Sequence, residues 1–131
     1  MELLIHFPGG DRVDATFGPF TVATDQPQNG GGEGSAPTPF ALFLASLGTC
    51  AGIYVLGFCK KRDLPTEGIQ ILERVHTNPE SGMVEKIDLE IQVPPSFPEK
   101  YHAALVHSAE LCKVKKHLEQ PPSFNVYTQV K

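Results

Sequence analysis

A chain of 131 residues can bury one core but not two, so a single domain over residues 1–131 is expected. With 40% hydrophobic and 20% charged residues, the composition excludes a disordered chain, and a net charge of −4 argues against nonspecific nucleic-acid binding. The two basic clusters, Lys60-Lys61-Arg62 and Lys113-Val114-Lys115-Lys116, read as solvated helix ends or faces.

Met1 to His6 lacks the basic segment and the apolar length of a signal peptide, and three cysteines without a secretion signal point to the reducing cytoplasm. Leu3, Ile5 and Phe7 alternate on one face, and Pro8-Gly9-Gly10-Asp11 supplies a turn. Val13, Ala15 and Phe17 follow, then a Gly18-Pro19 break, then Phe20 and Val22, which predicts three short antiparallel strands. Asp25 to Ala36 is glycine-rich and polar, matches neither a P-loop nor GxGxxG, and is expected to be a flexible surface loop. Thr38-Pro39 predicts a helix start, a capping residue followed by proline at the first helical position. The helix should run to about Arg62 and stop at Asp63-Leu64-Pro65. No charge occurs from Pro39 to Cys59, which meets the length rule for a membrane span. The small and polar residues within it, and the strand patterns around it, favour a core helix instead.

Two strands, Ile69 to His76 and Val84 to Val93, are joined by the hairpin signal Asn78-Pro79-Glu80-Ser81-Gly82. Ile87, Leu89, Ile91 and Val93 share one face, opposite Lys86, Asp88, Glu90 and Gln92. Tyr101, Leu105, Ala109 and Cys112 mark a second helix from Glu99 to about Leu118, and a last strand is expected from Phe124 to Val130. Strands flanking two helices give the class α+β.

Chemistry can reside in the cysteines. Cys59 lies nine residues after Cys50, close to the opposite face of one helix at about 100° per residue, so those two cannot bond. Cys59 reads as a buried small hydrophobe, which leaves Cys112 as the partner available to Cys50. From residues alone, two core thiols are at least as good a reading as a redox pair. His102, His107, Cys112 and His117 recur every five residues and spread around a helix, so no metal site is expected. Gly34-Ser35-Ala36 is not a nucleophile elbow.

The stretch from Pro37 to Cys50, PTPFALFLASLGTC, resembles the central-helix signature of the OsmC/Ohr family, with a proline eleven residues before a reactive cysteine. Ala109 to Leu118, AELCKVKKHL, looks like the family's second-cysteine motif, and Gly9-Gly10-Asp11-Arg12-Val13 resembles its first hairpin. The resemblance implies an OsmC-like fold, with antiparallel sheets wrapped around long central helices in an intertwined homodimer. It also implies a thiol-dependent peroxidase acting on organic hydroperoxides. In that role Cys50 attacks the peroxide, Cys112 closes a disulfide with it, and Arg12 holds the thiolate. Phe40, Phe43 and Tyr54 would line an apolar substrate pocket. A dithiol or lipoyl-type reductant would be the partner, with no bound cofactor and no nucleic-acid or membrane partner.

Two positions depart from the pattern. Relatives carry a Glu one or two residues after the proline to orient the arginine, where this chain has Phe40 and Ala41. Glu33 is the candidate replacement. The residue after the second cysteine is often proline, and here it is Lys113. The competing expectation is a non-catalytic OsmC-like protein that binds a small molecule or senses redox state.

Overall fold

A computed structural model describes all residues 1–131. The chain forms two compact units, residues 1–45 and 46–131.

In the first unit, β1 (Leu4–Gly9), β2 (Arg12–Phe17) and β3 (Phe20–Val22) make a three-stranded antiparallel sheet in that order. The turn between β1 and β2 needs glycine, since Gly10 sits at φ 57. Gly18 at φ 52 allows the tight β2–β3 link and brings the Phe17 and Phe20 rings within 5.8 Å. The loop that follows corrects the expectation of a flexible segment. Asp25, 1% exposed, accepts hydrogen bonds from the Gln26 N–H (2.7 Å), the Ser35 N–H (3.0 Å) and the Ser35 hydroxyl (2.6 Å). These bonds fold residues 25–35 back on themselves, helped by a 3-10 turn at Gln28–Gly30 and by Gly34 N–H donating to Gln26 O at 2.9 Å. A Cβ on Gly32 would lie 2.1 Å from the Gln26 carbonyl oxygen, so the loop closes only around glycine.

Helix α1 (Pro39–Lys61) opens as its sequence predicts: the Thr38 hydroxyl accepts from Ala41 N–H at 3.2 Å. It ends where Asp63 takes a left-handed φ of 52 and Leu64 N–H reaches Cys59 O at 2.9 Å. α1 is long and apolar enough to cross a membrane by length and composition, and 28% of its most apolar window is buried within this chain.

In the second unit, β4 (Gln70–Thr77) and β5 (Val84–Gln92) form an antiparallel hairpin pairing Ile71 with Ile91 and Val75 with Ile87. Ile71, Leu89, Ile91 and Val93 turn toward a core of Ala51, Val55, Phe58, Cys59, Phe97, Leu105 and Ala109. The α1 members of that core fall at helical spacing on one face. The opposite sheet face carries the Arg74–Glu90 (3.2 Å) and His76–Asp88 (2.7 Å) pairs.

The second predicted helix is not continuous. A 3-10 turn at Glu99–Tyr101 leads into α2 (His102–Ala109), the chain breaks, and α3 (Lys113–Glu119) follows. At the break Leu111 N–H bonds Ser108 O at 3.1 Å, and Cys112 is extended at φ −49, ψ 123. The predicted last strand is also absent: residues 120–131 carry no regular structure and are exposed, Phe124 by 86% and Val126 by 93%. An isolated strand leaves its backbone groups to water, and in this chain no ladder pairs with it.

Candidate active site

The break between α2 and α3 builds the site. Cys112 is the N-cap of α3, and its Sγ accepts from Lys115 N–H at 3.4 Å. It is 2% exposed, with Sγ 3.9 Å from the Leu47 carbonyl of α1. Cys50, one turn further along α1 than Leu47 and half-buried, lies on the stretch of helix against which Cys112 packs.

Those contacts divide the two sulfurs. Burial pushes the Cys50 thiol up. The N–H of Val114, the Cys112 thiol, and the N–H and positive charge of Lys113 outweigh burial and bring it below its ordinary value. Burial also pushes Cys112 up, and the hydrogen bond and charge of Cys50 add to that, so its net shift is upward despite the Lys115 and Val114 N–H groups. The two shifts run in opposite directions, which favours the anion on Cys50 over one on Cys112. Cys59 stands apart, fully buried in the core and raised by burial, with Arg62 partly opposing. It behaves as its helical angle predicts.

A cleft of about 520 Å³ opens beside Cys112, walled by Leu47, Ala51, Ile71, Leu89 and Ile91. Phe40, Phe43 and Tyr54 do not line it. Phe40 and Phe43 stack on each other at 5.5 Å, while Tyr54 borders a separate cavity with Phe58, Arg62 and His107. Arg12 belongs to the first unit, where its guanidinium lies 3.4 Å from the buried carboxylate of Asp14. Glu33 is exposed in the loop pinned by Asp25.

One ionisable group escapes the sequence reading. Glu73 of β4 presses its Oε1 against α1, so that a Cβ on Gly48 would lie only 2.6 Å away. Its Oε2 is buried without a partner, and burial raises its pKa against the pull of the Gly48 N–H. The available signal was alternation: Glu73 falls in register with Ile71 and Val75 on the core-facing side.

The OsmC-like protein family model matches residues 32–126, a span that includes both Cys50 and Cys112. Among curated proteins none matches significantly. Solved structures share the fold at low identity. A Psychrobacter arcticus 273-4 protein named for osmotic stress induction and detoxification response is 19% identical, with a TM-score of 0.73 over 87% of this chain and 85% of that one. An organic hydroperoxide resistance protein OsmC from Legionella pneumophila is 21% identical, with a TM-score of 0.55 over 89% and 87%. A hypothetical protein from Aquifex aeolicus VF5 is 18% identical, with a TM-score of 0.65 over 92% and 87%. The model's span and the shared α+β architecture establish that this chain belongs to the OsmC-like protein family.

Proposed function

We propose that this protein is a thiol-dependent peroxidase that reduces organic hydroperoxides through Cys50 and Cys112. The observation that carries this reading is the packing of the buried Cys112 sulfur against α1 at Leu47, 3.9 Å from its carbonyl and one turn before the half-buried Cys50; the ionisation biases of the two thiols, lowered for Cys50 and raised for Cys112, support it. A half-exposed thiolate is a nucleophile, and the buried neutral thiol beside it is a resolving group.

The chemistry balances as follows. The Cys50 thiolate attacks an oxygen of the hydroperoxide, and an S–O bond forms as the O–O bond breaks. The departing alkoxide takes a proton and leaves as the alcohol, while Cys50 becomes a sulfenic acid. The Cys112 sulfur then attacks Cys50, and the displaced hydroxide leaves as water with the Cys112 proton. A small dithiol or lipoyl-type reductant restores both thiols by exchange and is itself oxidised to a disulfide. One hydroperoxide and one dithiol thus yield one alcohol, one water and one disulfide.

The apolar cleft beside Cys112 supports a substrate with an apolar body over hydrogen peroxide. The name of the Legionella relative supports a role in organic hydroperoxide resistance. Arg12 as polarising cation, Glu33 as its orienting carboxylate, and Phe40, Phe43 and Tyr54 as pocket walls belong to this proposal, although none of those three aromatic residues borders the cleft beside Cys112 within one chain. So does a cytoplasmic homodimer, supported by three free cysteines and by apolar side chains left on α1, such as Ile53 at 59% exposure. A second reading, a binding or redox-sensing protein without turnover, is favoured by Phe40 and Ala41 standing where relatives carry the orienting Glu.

Cumene hydroperoxide added to the reduced protein tests the proposal. Two thiols should disappear per protein, with sustained turnover when a dithiol is present. Cys50→Ser should abolish consumption, and a variant that still turns over at the wild-type rate removes the mechanism. Cys112→Ser should keep the first oxidation but accumulate sulfinic acid on Cys50, detected by mass. Two-thiol oxidation without dithiol-driven turnover selects the sensor reading.

A further inference from the structure

A groove of about 440 Å³ runs between α1 and α2. The Ser108 hydroxyl donates to the Tyr54 carbonyl at 3.2 Å, and the Phe58 and Tyr101 rings meet edge to face at 5.8 Å, so the two helices run antiparallel. Ile53, Gly57 and Lys61, each four residues after the last, line the groove along one face of α1. Ala104 and His107 face them from α2, with Leu111 just beyond its end. From Ile53 to Lys61 the helix rises about 12 Å, the length of a medium acyl chain. Gly57 keeps the floor open, since a Cβ there would meet nothing within 4 Å.

The two ends of the groove differ in charge. Ile53 and Leu111 are exposed apolar side chains at one end. At the other, Lys61 is exposed, and the Arg62 guanidinium lies 3.6 Å over the Phe58 ring, where its Nη1 donates to the Phe58 carbonyl at 3.2 Å. That bond uses one of five guanidinium N–H groups. No carboxylate lines the groove, and none of the chain's ion pairs involves Lys61, Arg62 or His107. The dipole of α1 accounts for cations at its C-terminus. It does not account for one stacked in place at the end of an apolar groove.

The geometry points to a binding site for a monoanionic amphiphile, its carboxylate on Arg62 and Lys61 and its apolar tail lying over Gly57 toward Ile53 and Leu111. The partial negative charge at the C-terminus of α1 favours a singly charged head over a phosphate dianion. The site is independent of the thiol chemistry and shares no lining residue with the cleft beside Cys112.

The probe is decanoate below its micelle concentration, titrated into the isotope-labelled full-length protein and followed by amide NMR, with decanol as the neutral control. The Gly57, Ala104 and Leu111 amides should shift to saturation with decanoate, and decanol should bind more weakly. Arg62→Gln should weaken decanoate binding by about fivefold, the upper end for an exposed charge pair, while Lys116→Gln, the same charge change on α3, should not. Gly57→Leu fills the floor and should weaken binding by about tenfold or more, through the tail methylenes it displaces. A thermal melt checks its fold, and if it does not fold, Arg62→Gln and the decanol control decide. Absence of a saturable shift at those amides, as when a second copy fills the groove, overturns the inference. Equal binding of decanol, or an unchanged affinity in Arg62→Gln, overturns it as well.

Discussion

Asp25 and Glu73 are two buried carboxylates in opposite circumstances. Ser35, through its hydroxyl and its N–H, and Gln26 hold Asp25 at about 2, against some cost of burial. Its folded-state value is below the unfolded one, so its contribution is present above the ordinary carboxyl range and is lost as pH falls toward 2. Asp25→Asn should therefore lower Tm at pH 7, and the gap should close as thermal melts are repeated from pH 4 toward pH 2. Glu73 is raised by burial, which reverses the sign. Its contribution is full at acid pH and is lost as pH rises through its folded-state value. Glu73→Gln should melt alongside the wild type at acid pH but be more stable at pH 8, by about 1 kcal/mol, the low end for an unpaired buried polar group. Equal melting temperatures at both pH values would remove the claim that Oε2 is orphaned. Asp25 was visible in the sequence only as a polar loop residue, because its partner Ser35 lies ten residues away and nothing in the spacing announces the bond.

Elements were legible where local chemistry decides them. The Thr38 cap, Pro39, the Asn78–Gly82 hairpin and the alternation in β5 each depend on neighbours within a few residues, and each forms as read. Glycines within α1 follow the same logic. A Cβ on Gly52 would meet Ile71 Cδ1 at 3.9 Å, an ordinary contact. Gly52→Ala should thus gain about 0.5–1 kcal/mol in denaturant titrations from helix propensity alone. Gly32→Ala should do the reverse, costing about 1–3 kcal/mol, because its Cβ would overlap the rigid Gln26 carbonyl. The periodic signal failed at Glu99–Leu118. Leu105, Ala109 and Cys112 keep helical spacing although the helix stops at Ala109. A sulfur capping the next helix offsets the lost backbone bonds there, and apolar periodicity carries no trace of that exchange.

For the molecule as a whole, α1 and the final residues leave large apolar side chains uncovered: Phe40 and Ile53 on the helix, Val126 and Val130 on the tail. In the homodimer proposed above, part of that surface is covered by a second copy. Sedimentation should then give twice the 14.3 kDa chain mass, and Ile53→Asp should shift the population toward monomer. A wild-type monomer at micromolar concentration would count against the dimer.

The sequence by itself determined the α+β class, the capped central helix, the burial of Cys59 and the resemblance to the OsmC family. Each of these follows from residue type and short-range spacing. Only tertiary structure decided how the surroundings of the two sulfurs differ. Cys50 and Cys112 are far apart along the chain, and a helix break makes Cys112 the cap of α3, with the Lys115 N–H on its sulfur and Leu47 of α1 beside it. Glu73 was decided the same way, by a strand pressed against Gly48. Ionisation depends on burial and on charges at contact distance, and folding sets both after the chain has brought remote residues together.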